Sequence, residues 1–206
     1  MKSIIFCFIF LFTLTVSAQI VSKDSVYHLK EVAISKKQKK AKTVTIKTKG
    51  EEMGGDIRPG QSIMNRFDVP DGELKTVTMY FNSGLLNIVK GPLNIEYQDT
   101  EFTLLIYDVD DKGKPGKSLI EEVKFIVKKK QRGALDIDVS ALHLNVSGKL
   151  CIGLKREDKK SKKEPIALKI EINKNAAVFS RGSDTMGWGS GGDHWVKMKL
   201  KIAVPK

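Results

Sequence analysis

From residue 61 onward, apolar and polar positions alternate with a period of two. Val196, Met198, Leu200, Ile202 and Val204 alternate with Lys197, Lys199, Lys201 and Ala203. Ile166, Leu168, Ile170 and Ile172 alternate with Ala167, Lys169, Glu171 and Asn173, and Leu135, Ile137 and Val139 with Asp136 and Asp138. Val123, Phe125 and Val127 repeat the pattern. Such runs predict strands with one face on a core and the other in water. Phe102 to Tyr107 is nearly all apolar, as for a strand covered on both faces, and Leu74 to Phe81 mixes both patterns. Pro70-Asp71-Gly72, Lys90-Gly91-Pro92, Asp108 to Gly116, Gln131-Arg132-Gly133 and Ser147-Gly148 read as turns between them. Ser140 to Leu144 predicts a brief helical turn. No alternating βαβ pattern occurs. Eight to ten short strands at this spacing predict an all-β antiparallel sandwich, jelly-roll-like, over residues 56–206.

The first 55 residues read differently. Lys2 precedes an uncharged, mainly apolar run from Ile4 to Val16, then Val16-Ser17-Ala18 and Gln19. This is the pattern of a signal peptide over residues 1–18. The run is shorter than the roughly 20 residues of a membrane-spanning helix. Residues 19–55 read as a basic extended segment and linker. Lys36, Lys37, Lys39, Lys40, Lys42, Lys47 and Lys49 crowd together there, and Gly50 to Gly60 carries four glycines and Pro59. The chain is therefore expected to be exported, to the periplasm, the outer-membrane periphery or the exterior. No membrane span is expected in the mature part.

Composition adds a charge argument. The formal net charge is +12, and removal of Lys2 with the leader leaves +11. Arginine supplies only Arg58, Arg66, Arg132, Arg156 and Arg181 of the 36 basic residues. Lysine is a solvated point charge and lacks the planar fork that reads phosphates and bases. This balance argues for general attraction to anions, and export removes nucleic acid from reach. Cleavage leaves Cys151 as the sole cysteine, so no internal disulfide is available. Its place in Leu150-Cys151-Ile152-Gly153-Leu154 reads as a small buried hydrophobe.

Catalytic signatures are missing. His28, His143 and His194 show no metal-type spacing, and Ser190 in Trp188-Gly189-Ser190-Gly191-Gly192 lacks the glycine two positions earlier that a nucleophile elbow needs. Asp108, Asp110 and Asp111 sit in one loop, but position twelve from Asp108 is Leu119, so the loop reads as a turn and not as a calcium site. No cofactor and no metal are expected. The loop from Ser180 to Trp195 is the most informative. It holds five glycines, Trp188, Trp195, Arg181 and Asp184. Two tryptophans could stack on a sugar face while Arg181 and Asp184 bond its hydroxyls. Alternatively, both indoles serve packing. Asp193-His194 is the only candidate acid–base pair, without a nameable nucleophile.

A family resemblance accompanies these residues. Leu29-Lys30-Glu31-Val32-Ala33-Ile34 resembles the "L-x-E-V-V-V" segment that closes carboxypeptidase-like regulatory domains and leads into TonB-dependent receptor plugs. Ile106-Tyr107-Asp108-Val109 with Gly113-Lys114-Pro115-Gly116, then Leu135-Asp136-Ile137-Asp138-Val139-Ser140 and Cys151-Ile152-Gly153-Leu154, resemble a group of exported Gram-negative β-sandwich proteins usually given that domain name. The resemblance implies a sandwich like galactose-binding modules and implies no peptidase. The resulting expectation is a non-catalytic envelope module that binds a glycan or anionic polymer through Trp188, Trp195, Arg181 and Asp184. The alternatives are a protein-interaction part of an outer-membrane assembly, with residues 29–49 adding a strand to a partner, and a hydrolase using Asp193 and His194.

Overall fold

The computed structural model describes residues 41–81, 84–87, 91–94, 99–129, 131–157 and 166–206. The signal-peptide segment, residues 19–40, Lys130 and Asp158 to Lys163 lie outside the described residues. The described chain is all-β. Its strands are β1 (Lys42–Lys47), β2 (Glu51–Ile57), β3 (Ser62–Phe81), β4 (Gly84–Asn87), β5 (Gly91–Asn94), β6 (Thr100–Val109), β7 (Pro115–Ser118) and β8 (Val123–Val127). They continue as β9 (Gly133–Asp138), β10 (Asn145–Arg156), β11 (Ile166–Ile172), β12 (Val178–Arg181), β13 (Gly189–Ser190), β14 (His194–Val196) and β15 (Met198–Val204). The expected helical turn is a short 3-10 segment, Ser140–Leu142.

Thirteen strands share one antiparallel hydrogen-bonded sheet, whose main path runs β1-β15-β3-β10-β6-β7. The long strand β3 makes it sandwich-like. Its first half pairs with β10, over Ser62–Glu73 with one register shift between Val69 and Gly72, and, over Ser62–Asn65, with β12. Its second half pairs with β15 from Glu73 and with β9 from Thr76. The inner faces of both halves meet in one core. Phe67, Leu104, Ile152 and Leu154 come from the first half's layer, and Val77, Met79, Leu200 and Ile202 from the second.

Two expectations change here. Neither Pro70-Asp71-Gly72 nor Ser147-Gly148 is a turn between strands: the first lies inside β3 and the second inside β10. The partner strand β10 shifts register between Val146 and Gly148 at the same level. An added Cβ on Gly72 would press on the Ala203 carbonyl, so a bare backbone is needed where β15 crosses. The domain boundary near residue 56 falls inside β2. Residues 42–57 are not a linker: β1 pairs with β15 and β2 pairs with β11 along its full length. The glycines of this stretch lie in a strand.

The apolar run on β6 is covered on both faces, as its pattern predicts. Leu104 and Ile106 enter the main core. On the opposite face, Leu105, Met64 and Cys151 form a second, smaller cluster. Gly153 lies in cross-strand register with both Leu105 and Met64. A Cβ there would overlap the Ile63 carbonyl oxygen, so β3 and β10 approach closely at this point. Tyr107, Phe179 and Trp188 cover the small cluster, so the glycine-rich loop folds back over this outer face.

Candidate functional site: a charged row beside the glycine-rich loop

Register builds the site. Arg181 on β12 pairs with Ser62 on β3, Ser62 with Lys155 on β10, Lys155 with Thr103 on β6, and Thr103 with Lys124 on β8. Residues directly opposite in an antiparallel sheet share a face. Five strands therefore line up five polar side chains in one row, next to the small apolar cluster. Carboxylates interleave with them. Lys155 Nζ lies 2.6 Å from Asp184 and 3.0 Å from Glu157. Arg181 Nη2 donates to Asp184 Oδ1 at 2.8 Å. Thr103 Oγ1 donates to Glu157 at 2.8 Å. Lys124 meets Glu101 at 3.1 Å and Glu122 at 3.8 Å.

The row borders a cleft of about 210 Å³ lined by Thr103, Tyr107, Glu122, Lys155, Arg181 and Asp184, among others. Burial works against the charge on Lys155, but hydrogen bonds to Asp184 and Glu157 outweigh it and hold its pKa above the ordinary lysine value. Burial likewise opposes ionisation of Glu157, and the bonds from Thr103 and Lys155 overcome it, so its pKa is lowered. Both groups are thus charged at neutral pH. The arrangement offers fixed cationic donors and carboxylate acceptors side by side.

The structure unites three of the four sequence-predicted site residues. Arg181, Asp184 and Trp188 lie together: the Arg181 guanidinium carbon sits 4.4 Å from the centre of the Trp188 ring, and Trp188 meets Tyr107 edge-on with centroids 6.0 Å apart. One face of Trp188 is therefore covered by Arg181. Trp195 is not part of this group. It packs against the main core, T-shaped on Phe67 at 5.4 Å, and its buried indole nitrogen has no hydrogen-bond partner. A platform of two tryptophans is not formed, because the two rings belong to different clusters. Asp193 and His194 do contact, at 3.0 Å, with both side chains nearly half exposed. The turn carboxylates are engaged: Asp110 Oδ1 accepts the Lys112 and Lys114 backbone N–H groups at 2.9 and 2.7 Å.

Sequence reasoning missed Ser62, Thr103, Tyr107, Glu122, Lys155 and Glu157 as site residues. Lys155 and Glu157 open the lysine-rich stretch Lys155 to Lys163, where charge masks their place on the sheet. Their signal was the alternation Cys151, Gly153, Lys155 along β10, continued by Glu157 just past its end. Other lysines among the described residues also make ion pairs. Lys128 meets Asp99 at 2.8 Å, and Lys197 and Lys169 both reach Glu52.

Comparison with known proteins adds little. No protein family matches the chain, and no curated protein does. Among solved structures, the chain is similar to a clostridial cysteine protease, Cwp84 after propeptide cleavage, at 11% identity and a TM-score of 0.48. That likeness covers 80% of this chain and 40% of the protease chain.

Proposed function

We propose that the chain is a non-catalytic, exported binding module of the cell envelope that holds a glycan in the cleft beside Tyr107 and Trp188. One observation carries this reading: cross-strand register sets donors (Arg181, Lys155, Thr103) next to acceptors (Asp184, Glu157, Glu122) around a single small cleft. A sugar ring presents hydroxyls that both donate and accept, together with an apolar face. Tyr107 lines the cleft and supplies an aromatic surface, with Trp188 packed edge-on behind it. The lysine-rich remainder of the surface supplies general attraction to anionic envelope polymers. The test is a titration of the purified chain with envelope polysaccharides, followed by tryptophan fluorescence at low and high salt. A saturable change that survives high salt and is lost in Lys155→Met supports the cleft. A response that vanishes with salt assigns binding to the lysine surface. No response to any glycan overturns the reading.

A second reading is a protein-interaction part of an outer-membrane assembly, and the strand β1 favours it. Residues 42–47 pair with β15 on one side, and β1 ends the sheet path, so its other edge is open among the described residues. An open edge can accept a partner strand. Unchanged partner recovery by Thr43→Lys with Thr45→Lys would dismiss it.

A further inference from the structure

Two cations of the charged row, both built into strands, share one anion that is not. Lys155 on β10 and Arg181 on β12 have side chains 15% and 14% exposed, whereas Asp184, on the loop between β12 and β13, is 51% exposed. The Asp184 carboxylate bridges them, at 2.6 Å from Lys155 and 2.8 Å from Arg181. Each cation also has an anchor independent of Asp184. Lys155 Nζ is 3.0 Å from Glu157, and Arg181 stacks on Trp188 at 4.4 Å. Between them on the row lies Ser62, fully buried, its hydroxyl without a hydrogen-bond partner. Arg181 Nε is buried and unpartnered as well. Withdrawal of Asp184 therefore leaves two positioned cations and two unused hydrogen-bonding groups at one spot.

Resting on the glycan reading above, we propose that the cleft takes a sugar acid: the ligand carboxylate displaces Asp184 between Arg181 and Lys155, and its hydroxyls donate to Glu157 and Glu122. Asp184 is then an internal stand-in for the ligand, and its loop is the part that moves. Arginine and lysine bind a carboxylate strongly through charge-assisted bonds. A polyphosphate fits worse, because Glu121, Glu122 and Glu157 line the same cleft. A neutral sugar has no group to replace the Asp184 charge. A sugar acid combines one carboxylate with several hydroxyls, which matches the two ends of the cleft. At about 210 Å³ the cleft is smaller than the roughly 300–1,000 Å³ of drug-sized sites, so it holds one residue of a polymer.

The test titrates the whole chain and its Asp184→Asn variant at physiological ionic strength with three probes: polygalacturonate, its fully methyl-esterified form, and neutral galactan. Removing the internal competitor should tighten polygalacturonate binding by about three- to tenfold, the size of one lost charged contact. Binding of the esterified polymer should not change. Asp111→Asn, an exposed charge in another loop, controls for net charge and should match the wild type. If Asp184→Asn unfolds, Asp184→Ser carries the same measurement. Equal tightening in Asp111→Asn, or none in Asp184→Asn, overturns the displacement. If galactan binds as tightly as polygalacturonate, the glycan reading stands and the sugar-acid assignment falls. If no polymer binds any variant, both fall.

Discussion

Asn65 and Val196 form a strand-like pair through a side chain: Asn65 Nδ2 donates to the Val196 carbonyl at 2.6 Å, and the Val196 N–H donates to Asn65 Oδ1 at 3.1 Å. Asn65 is fully buried on the inner side of β3. Its amide supplies one donor and one acceptor in the spacing that a backbone would, and so ties β3 to β14. Replacement by leucine leaves both Val196 groups unpaired, at about 1–3 kcal/mol each. Asn65→Leu should therefore lower stability by about 2–5 kcal/mol in urea unfolding. Asn65→Asp should fare no better, since a carboxylate has no proton to donate. An unchanged midpoint in both variants would refute the pairing's role.

The two tryptophans should separate cleanly on mutation. Trp195 is partly buried against Phe67 and the main core, so Trp195→Ala should lower stability, by less than the roughly 3–5 kcal/mol of a fully buried aromatic. Trp188 lies against Tyr107 and the small outer cluster beside the cleft. Trp188→Ala should leave the fold cooperative, with a smaller loss of stability, and abolish the glycan-dependent response. Unfolding curves measured beside titrations decide between them. Loss of binding in a folded Trp195→Ala alone would reverse the assignment.

Alternation made most strands legible. Val196 to Val204 and Phe102 to Tyr107 each carry their burial pattern in the order of their residues, whereas on β11 the polar Glu171 is more buried than Ile170 and Ile172 beside it. The bend at Pro70-Asp71-Gly72 was not legible as a bend. Glycine and proline mark a chain reversal and a kinked strand with the same letters, and only the crossing of β15 beside Gly72 decides which one forms. Residues 42–57 looked like a linker because lysines and glycines dominate them, yet their pairing partners lie more than a hundred positions away. The site was half legible for the same reason. Arg181, Asp184 and Trp188 are neighbours in sequence and in space. Lys155, Thr103 and Ser62 join them only through register between distant strands. Trp195 lies seven positions from Trp188, but its strand leads into the main core.

Cys151 should be inert in the native state. Burial pushes its thiol up to about 12, with the Arg66 charge pulling the other way and Asp110 and Asp108 adding to the rise. An ordinary thiol titrates near 8.5, so at pH 8 the native thiolate fraction falls to roughly one in ten thousand. In a chain lacking residues 1–18, and so Cys7, a thiol reagent at pH 8 should give no signal from the folded state and one equivalent in urea. Because the folded pKa is raised, the neutral thiol favours the fold fully below about 8.5, and that contribution fades as the pH rises toward about 12. Rapid native labelling would contradict the burial.

Ion pairs on the surface and in the cleft set the pH range of stability. The bond from Lys75 lowers the Glu73 pKa, Lys128 does the same for Asp99, and Lys197 for Glu52. Glu157 is lowered despite burial, through Thr103 and Lys155. A carboxylate whose folded pKa lies below its unfolded value stabilises the fold above the ordinary range near 4, and that contribution is lost as the pH falls through the folded value. Lysines behave in the opposite sense. Bonds to Glu101 raise Lys124 and bonds to Glu52 raise Lys197, so their contribution holds below about 10.4 and is lost as the pH climbs through the raised values. The melting temperature should therefore be flat from about pH 5 to 8 and fall on both sides. Glu157→Gln removes one of the depressed carboxylates, so its acid limb should be shallower than that of the wild type. Calorimetry from pH 3 to pH 11 measures this, and a melting temperature that rises below pH 4 would show that these carboxylates do not favour the fold in their charged form.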